Sequence, residues 1–113
     1  MSRMNLNDLL SDDHFELLSG TTTDKEITNT RCCDLLSWVM ARGTEGTAWV
    51  TVQAHSNIVA VASLLEFACI IIPENIKVEK DVLDKAHDED VAIVVTALDS
   101  YDVFKYFYEK GLK

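Results

Sequence analysis

The segment AWVTVQ-AHSN-IVAVASLLE, residues 48–66, decides the fold of this chain. Its first part is rich in β-branched and aromatic residues, which favours a buried strand over 48–53. The polar turn AHSN follows, and Asn57 is a preferred residue type for capping the helix predicted over 58–68. That helix has few polar positions, so we expect it to be buried on most sides or to meet another subunit through its outer face.

The rest of the chain after this segment repeats the strand-then-helix order twice. Residues 69–72 read CIII, apolar on both faces as an inner parallel strand requires, and Pro73 ends them. The pattern then predicts a helix over 80–87 and a β-branched strand over 92–96. The last helix is predicted to start at Asp99-Ser100.

The part of the chain before residue 48 gives weaker signals. A first strand is predicted over 15–18 and a brief edge strand over 26–28. Thr30 is predicted to cap a helix over 31–42, which Gly43 ends in a left-handed conformation. The inward face of this helix is predicted to carry Leu35, Leu36, Val39 and Met40.

Strands that alternate with helices predict crossover connections and a parallel sheet covered on both faces. We therefore expect an α/β fold, a three-layer α/β/α sandwich with a mainly parallel sheet of about four strands. The length of 113 residues predicts a single domain over 1–113, and 48% hydrophobic residues suffice for a core without metal or disulfides.

Composition argues against several classes of partner. A net charge of −9, with acidic runs such as Asp88-Glu89-Asp90, disfavours nucleic acid and anionic membranes. The longest apolar stretch, 58–73, is interrupted by Ser63 and Glu66 and is too short to span a bilayer. Three cysteines without disulfide spacing, and no signal-peptide pattern over 1–11, predict a cytoplasmic protein.

With this order of elements, the chain resembles a DRTGG-type domain, a family similar to the amino-terminal domain of HPr kinase/phosphorylase. The resemblance rests on Asp34-Leu35-Leu36, residues 48–65, the strand 69–72 with Pro73-Glu74, and TALDSYDV at 96–103. The sequence departs from the family pattern at two places. Ala54-His55 stands where the family has an Asp-Arg pair, and the paired glycines are replaced near Pro73-Glu74-Asn75.

The resemblance implies a regulatory role. Domains of this family accompany kinases, acyltransferases or nucleotide-regulated pyrophosphatases and are not their catalytic parts. The resemblance therefore implies a dimeric, non-enzymatic domain.

The polar turn after the strand 48–53 is the predicted ligand site. Ligands of open parallel sheets lie beyond the carboxyl ends of strands, where a helix amino end offers N–H groups to an anion. His55 adds a charge that switches near neutral pH. Thr22 and Ser100, which follow other strands, are predicted to line the same edge. The complete predicted set is Gln53, His55, Ser56, Asn57, Thr22 and Ser100.

Four of these residues also have a purely structural interpretation. Asn57 and Ser100 are ordinary helix caps, His55 is then simply solvated, and the threonines around Thr22 form a flexible loop.

No metal site or cofactor is predicted. Cys32-Cys33 fall in the first turn of the predicted helix beside Arg31, which leaves one reactive or redox-sensing thiolate as an alternative, but Asp34 opposes a thiolate and we expect structural thiols. Asp12-Asp13-His14 predicts a solvated turn, because consecutive side chains rarely converge on one ion. Trp49 and Cys69 are predicted to be in the core, and Trp38 lies off the inward face of its helix.

Three functions stay open at this point. The first is a regulatory domain that senses a small anionic metabolite or nucleotide near Gln53–Asn57 and acts through a homodimer. The second is an interaction module without a ligand, whose exposed aromatic and apolar helix surfaces bind a partner enzyme. The third is an enzyme with His55 as a general base, for which the sequence supplies neither a substrate nor an orienting group.

Overall fold

Strands and helices alternate along the chain in a computed structural model that describes residues 4–111. The predicted strand 48–53 is shorter than expected and ends at Val50, and the predicted helix 58–68 ends at Leu64. The elements are β1 Met4–Asn5, α1 Leu6–Leu10, β2 Phe15–Ser19, β3 Glu26–Ile27, β4 Asn29–Cys32, α2 Leu36–Arg42, β5 Thr47–Val50, α3 Asn57–Leu64, β6 Cys69–Ile72, α4 Lys80–Asp88, β7 Ile93–Thr96 and α5 Ser100–Glu109.

A five-stranded sheet with the order β2-β7-β6-β5-β4 forms the centre of the molecule. The four strands β4 to β7 run parallel, and β2 pairs antiparallel with β7 at one edge. β1 and β3 form a separate two-stranded antiparallel sheet. The expectation of a mainly parallel sheet is confirmed, with β4 as a strand that the sequence pattern did not predict.

Alternate residues of the inner strands pack on opposite faces of the sheet. Cys69 and Ile71 of β6 pack in one core with residues of α1 and α5. Ile70 and Ile72 pack in a second core with residues of α2, α3 and α4. All four side chains are at most 1% exposed, so helices cover the sheet on both faces. The three-layer α/β/α sandwich is therefore confirmed.

Residues 29–32 form an edge strand, so the prediction of a helix over 31–42 is wrong in its first part. Thr30 pairs with Ala48 of β5 and does not cap a helix. The Asn29 side chain accepts a hydrogen bond from the Thr47 hydroxyl at 2.9 Å. Pairing with β5 satisfies the backbone here, and α2 starts only at Leu36.

The short helix α2 buries much less apolar surface than predicted. Val39 is 2% exposed and Leu36 is half-buried, but Leu35 and Met40 are 62% and 49% exposed. Since the helix begins five residues later than predicted, fewer of its turns lie over the sheet. The inward face predicted from the sequence is thus reduced to one fully buried side chain among residues 35–42.

Gly43 ends α2 for a reason other than the predicted one. Its φ of −69° is accessible to any residue, so the predicted left-handed conformation is wrong. A Cβ at this position would lie 2.4 Å from Cζ of the Phe67 ring. Glycine is therefore needed because the end of α2 passes directly against a buried aromatic side chain.

The turn after β6 contains two successive residues in the left-handed region. Glu74 and Asn75 have φ values of 61° and 55°. Their N–H groups donate to the carbonyl oxygens of Leu98 at 2.9 Å and Thr96 at 3.0 Å, which ties the turn to the end of β7. The backbone here has the geometry that glycine adopts most easily, although the chain has replaced the paired glycines of the DRTGG pattern.

We expect Glu74→Gly to raise the free energy of unfolding by about 0.5–1 kcal/mol, because glycine removes a left-handed penalty that exceeds its cost in unfolded-state entropy. Urea unfolding followed by circular dichroism measures the difference. Glu79→Gly is the matched control, because Glu79 has a φ of −68° and therefore has no left-handed penalty for glycine to remove. A Glu74→Gly variant no more stable than wild type would contradict the turn geometry.

Candidate functional site

The carboxyl ends of β5, β6 and β7 lie at one edge of the sheet. We call this edge, formed by residues 51–57, 73–75 and 97–100, the carboxyl rim. Its floor contains two buried hydroxyl side chains, Thr51 at 1% and Thr96 at 3% exposure. The Thr96 hydroxyl accepts a hydrogen bond from the Leu98 N–H at 3.2 Å, which fixes the backbone where the chain leaves β7 and enters the rim.

Asp34 holds the loop that follows β5. Its Oδ1 accepts hydrogen bonds from the Thr51 hydroxyl at 2.6 Å and from the Val52 N–H at 3.0 Å. The Gln53 side-chain amide donates to the Asp34 carbonyl oxygen. Gln53 is therefore fixed at the rim, as part of the link between β5 and the segment after β4. The pattern gave no signal of this role, because it assigned Asp34 to the interior of a helix.

His55, Ser56 and Asn57 lie next to one another where the loop enters α3. His55 and Asn57 are exposed and Ser56 is half-buried. None of their side chains makes a hydrogen bond to another residue within 4–111. Their polar groups are therefore available to a bound molecule.

The amino end of α3 has no side-chain cap, so the prediction that Asn57 caps the helix is wrong. Asn57 is the first helical residue, and Ser56 before it has helical angles, φ −61° and ψ −19°. A capping side chain needs an extended backbone to reach back to the helix N–H groups. The first turn instead closes tightly, with the Ile58 N–H donating to the His55 carbonyl oxygen at 3.2 Å.

Ser100 lies at the same edge of the sheet as Gln53 but not beside it. β6 separates β5 from β7, which places the two strands about 10 Å apart at the usual strand spacing. Asp99 caps α5, with Oδ1 accepting a hydrogen bond from the Asp102 N–H at 2.8 Å. The Ser100 hydroxyl is therefore not used as the cap of its own helix.

Thr22 lies at the opposite edge of the sheet, and its predicted place beside Gln53 is wrong. β2 runs antiparallel to β7, so the end of β2 at Ser19 pairs with the start of β7 at Ile93. The Thr22 hydroxyl and N–H both donate to the Asp90 carboxylate, the latter at 3.1 Å. The loop around Thr22 is consequently bonded to the α4–β7 turn.

Cys32 and Cys33 do not lie in the first turn of a helix, where the sequence pattern placed them. Cys32 ends β4 and Cys33 follows it, whereas α2 begins only at Leu36. Cys69 is fully buried, and burial raises the pKa of its thiol to about 12. It therefore remains a protonated core residue, as predicted.

Within residues 4–111, no three His, Cys, Asp or Glu side chains are placed to hold a metal ion. His14 Nδ1 lies 2.7 Å from Asp12 Oδ1 in the turn before β2, which makes a local contact between the two side chains. No helix in the described part of the chain is both long and apolar enough to cross a membrane.

A groove of about 560 Å³ lies near the opposite end of β5, at the amino edge of the sheet. No sequence pattern pointed to it, because its residues come from separate parts of the chain. The lining contains three glutamates and one lysine, which disfavours an anionic ligand: Lys25, Glu26, Thr28, Glu45, Gly46 and Glu66.

The overall architecture is that of a DRTGG-type α/β fold. The comparison that shows this is a crystal structure of the CBS and DRTGG domains of the regulatory region of Clostridium perfringens pyrophosphatase, complexed with the activator diadenosine tetraphosphate. The TM-score is 0.75 at 14% sequence identity, over 93% of this chain and 46% of that one. The chain thus spans about half the length of the similar structure.

No protein-family model matches the sequence, and no curated protein is similar to it in sequence. The likeness to the pyrophosphatase region is therefore a likeness of fold.

Proposed function

We propose that this protein is a non-catalytic, cytoplasmic regulatory domain that binds a small anionic metabolite or nucleotide at the carboxyl rim and acts as a homodimer. The observation that carries the proposal is the start of α3. No side chain caps it, and the side chains of His55, Ser56 and Asn57 make no hydrogen bond to another residue among 4–111, while the Ile58 and Val59 N–H groups already donate to the His55 and Ser56 carbonyl oxygens. The positive end of the α3 dipole and these unpaired polar side chains suit a negatively charged group.

The fold comparison supports a regulatory role. The similar structure is part of the regulatory region of an enzyme and was crystallised with a nucleotide activator. This likeness is consistent with a domain that senses a nucleotide or a related metabolite and thereby controls a partner enzyme.

The charges of the rim limit the ligand. Asp34, Glu74 and Asp99 are exposed acids at or next to the rim, whereas His55 is the basic side chain among residues 51–57. Like charges a few ångströms apart cost about 1 kcal/mol or more even near a solvated surface. We therefore favour a ligand with few negative charges, such as a mononucleotide or a monophosphate, over an unaccompanied polyphosphate.

A thermal-shift screen against mononucleotides and phosphorylated metabolites tests this function. We expect the melting temperature to rise with one class of compound, since a ligand at 100 times its Kd stabilises the native state by about 2.7 kcal/mol. The double variant His55→Ala, Asn57→Ala is expected to lose most of that shift. His87→Ala is the control, because His87 is an exposed histidine at the far end of α4.

An unchanged ligand shift in the double variant would remove the rim as the binding site. If no compound in the screen shifts the melting temperature, an interaction module without a ligand becomes the better function. The exposed side chains of Trp38 at 52% and Tyr101 at 76% favour that second candidate, since a partner enzyme would cover them.

A further inference from the structure

The short connection between β4 and α2 runs along the carboxyl end of β5 and is bonded to it. The Trp49 indole N–H donates to the Cys33 carbonyl oxygen at 2.8 Å, and the Cys33 N–H donates to the Val50 carbonyl oxygen at 3.4 Å. Leu35 then has an extended backbone, with φ −91° and ψ 106°, and α2 begins at the next residue. Asp34 is therefore placed between the end of β5 and the start of α2.

The carboxylate of Asp34 orders the segment that follows β5, residues 51–56, which we call the rim loop. Its Oδ1 accepts from the Thr51 hydroxyl at 2.6 Å and from the Val52 N–H at 3.0 Å. The Thr51 hydroxyl in turn accepts from the Gln53 N–H at 3.2 Å. Thr51 is 1% exposed, so without Asp34 its hydroxyl would be buried with no acceptor for its proton, which is costly. The shape of the rim loop thus depends on one carboxylate oxygen.

The helix α2 starts directly after Asp34 and has few other attachments. Its first turn is closed by the N–H groups of Trp38 and Val39, which both donate to the Leu35 carbonyl oxygen at 3.1 Å. Val39 is the one buried side chain among residues 36–42. A helix that buries so little apolar surface is held mainly by its ends, so the position of Asp34 also sets the position of the first turn of α2.

We propose that Asp34 is a positioning residue that joins the rim loop to α2, so that the two segments open and close as one local unit. Native proteins open locally in cooperative units of this kind. As a means of regulation the inference rests on the proposed function, because a ligand bound at His55–Asn57 stabilises the closed rim loop. Through Asp34 it then also stabilises α2, an outer helix that a partner enzyme can contact.

Asp34 acts on the rim by position and not by contact with an anion. Its Oδ2 makes no bond within residues 4–111, and a carboxylate repels a negatively charged ligand. Loss of the charge alone would therefore strengthen the binding of an anion. Asp34→Asn keeps an acceptor oxygen and loses the charge, whereas Asp34→Ala loses both, so the two variants separate position from charge.

Hydrogen exchange of the ligand-free full chain, followed by mass spectrometry at short labelling times, tests the link. We expect Asp34→Ala to speed the exchange of residues 52–57 and 36–42 by about 10-fold or more, since hydrogen bonds to a charged group have an effect of this size. Asp34→Asn should restore most of the protection. Exchange in β6 and β7 should not change, because these strands lie outside the unit.

Thr51→Val removes the donor from the other side of the same bond and keeps the shape of the side chain, so it should also speed exchange in both segments. Asp88→Ala is the control, because Asp88 is an exposed acid at the end of α4. Melting curves confirm that each variant is folded. The proposal is overturned if the rim loop and α2 are unprotected in wild type. It is equally overturned if Asp34→Ala and Thr51→Val speed exchange in the rim loop and leave α2 unchanged.

Titration with adenosine monophosphate as the probe separates this inference from the proposed function. We expect Asp34→Ala to weaken its binding by about 10-fold although the variant removes a repelling charge, and Asp34→Asn to stay close to wild type. Equal strengthening in both variants would show that Asp34 acts only through its charge, and would remove its positioning role. If wild type does not bind the probe, the proposed function loses this ligand, and the exchange measurement still decides whether Asp34 joins the rim loop to α2.

Discussion

Trp49→Ala is expected to lower the free energy of unfolding by about 3–5 kcal/mol, a large part of the stability of a domain of this size. Trp49 is completely buried, and its ring meets the edge of Phe67 at a centroid distance of 5.8 Å. Its indole N–H donates to the Cys33 carbonyl oxygen at 2.8 Å. The substitution leaves a cavity in one core and an unpaired carbonyl group, and urea unfolding measures their combined cost.

Trp38→Ala is the matched control, because it removes the same side chain from a position that is 52% exposed. At protein concentrations low enough to keep the chain monomeric, its cost should stay below about 1 kcal/mol. Trp49→Phe separates packing from hydrogen bonding, since it keeps much of the aromatic volume but loses the hydrogen bond to Cys33. We expect it to lower the free energy of unfolding by about 1–3 kcal/mol. Equal losses for Trp49→Ala and Trp38→Ala would show that the core assignment is wrong.

Asp90→Ala is expected to lower the free energy of unfolding by about 2–3 kcal/mol, because it removes several hydrogen bonds to one charged group. Oδ1 of Asp90 accepts from the N–H groups of Thr21 at 2.7 Å and Thr22 at 3.1 Å, and both threonine hydroxyls also donate to the carboxylate. These bonds join segments 68 or more residues apart in sequence. Without them, the loop after β2 is no longer tied to the α4–β7 turn.

The cost of Asp90→Ala should depend on pH. Hydrogen bonds from the Thr21 N–H, then from the Thr22 hydroxyl, hold the pKa of Asp90 well below its usual range. The native state thus favours the ionised form. The ionised Asp90 carboxylate stabilises the native state fully at pH values above its unfolded-state pKa of about 3.9. This stabilisation is lost as the pH falls through the lower pKa of the folded state. The difference in stability between wild type and Asp90→Ala should therefore shrink as the pH falls.

Asp88→Ala is the control, since Asp88 is an exposed acid two residues away that accepts no side-chain hydrogen bond within residues 4–111. It should change stability little at any pH between neutrality and acid. A stability difference between wild type and Asp90→Ala that stays constant down to about pH 2 would contradict the role of the ionised carboxylate.

The order of strands and helices from residue 47 onward could be predicted because each element there has an unambiguous apolar pattern. β6 and β7 are buried on both faces and contain almost only apolar residues, which few structures other than an inner strand accommodate. β4 could not be predicted in the same way. Its sequence NTRC is polar and short, and it is a strand because β5 offers hydrogen-bond partners, which is a tertiary effect.

The candidate site was predictable in part for a related reason. Gln53, His55, Ser56 and Asn57 follow one strand directly, so their place at its carboxyl end follows from the parallel fold. Thr22 was misplaced because the direction of β2 depends on its pairing with β7, which the residues of β2 do not encode. Asp34 was missed because its bonds to Thr51 and Val52 bridge two strands.

The edge position of β4 has a consequence for the behaviour of the protein at high concentration. A border strand with one free side is a template on which further chains can stack into fibrils. β4 is only four residues long, and the exposed cation Arg31 stands within it. A short, charged edge strand of this kind discourages fibril growth. The polar sequence that made β4 hard to predict therefore also protects the folded molecule against misassembly.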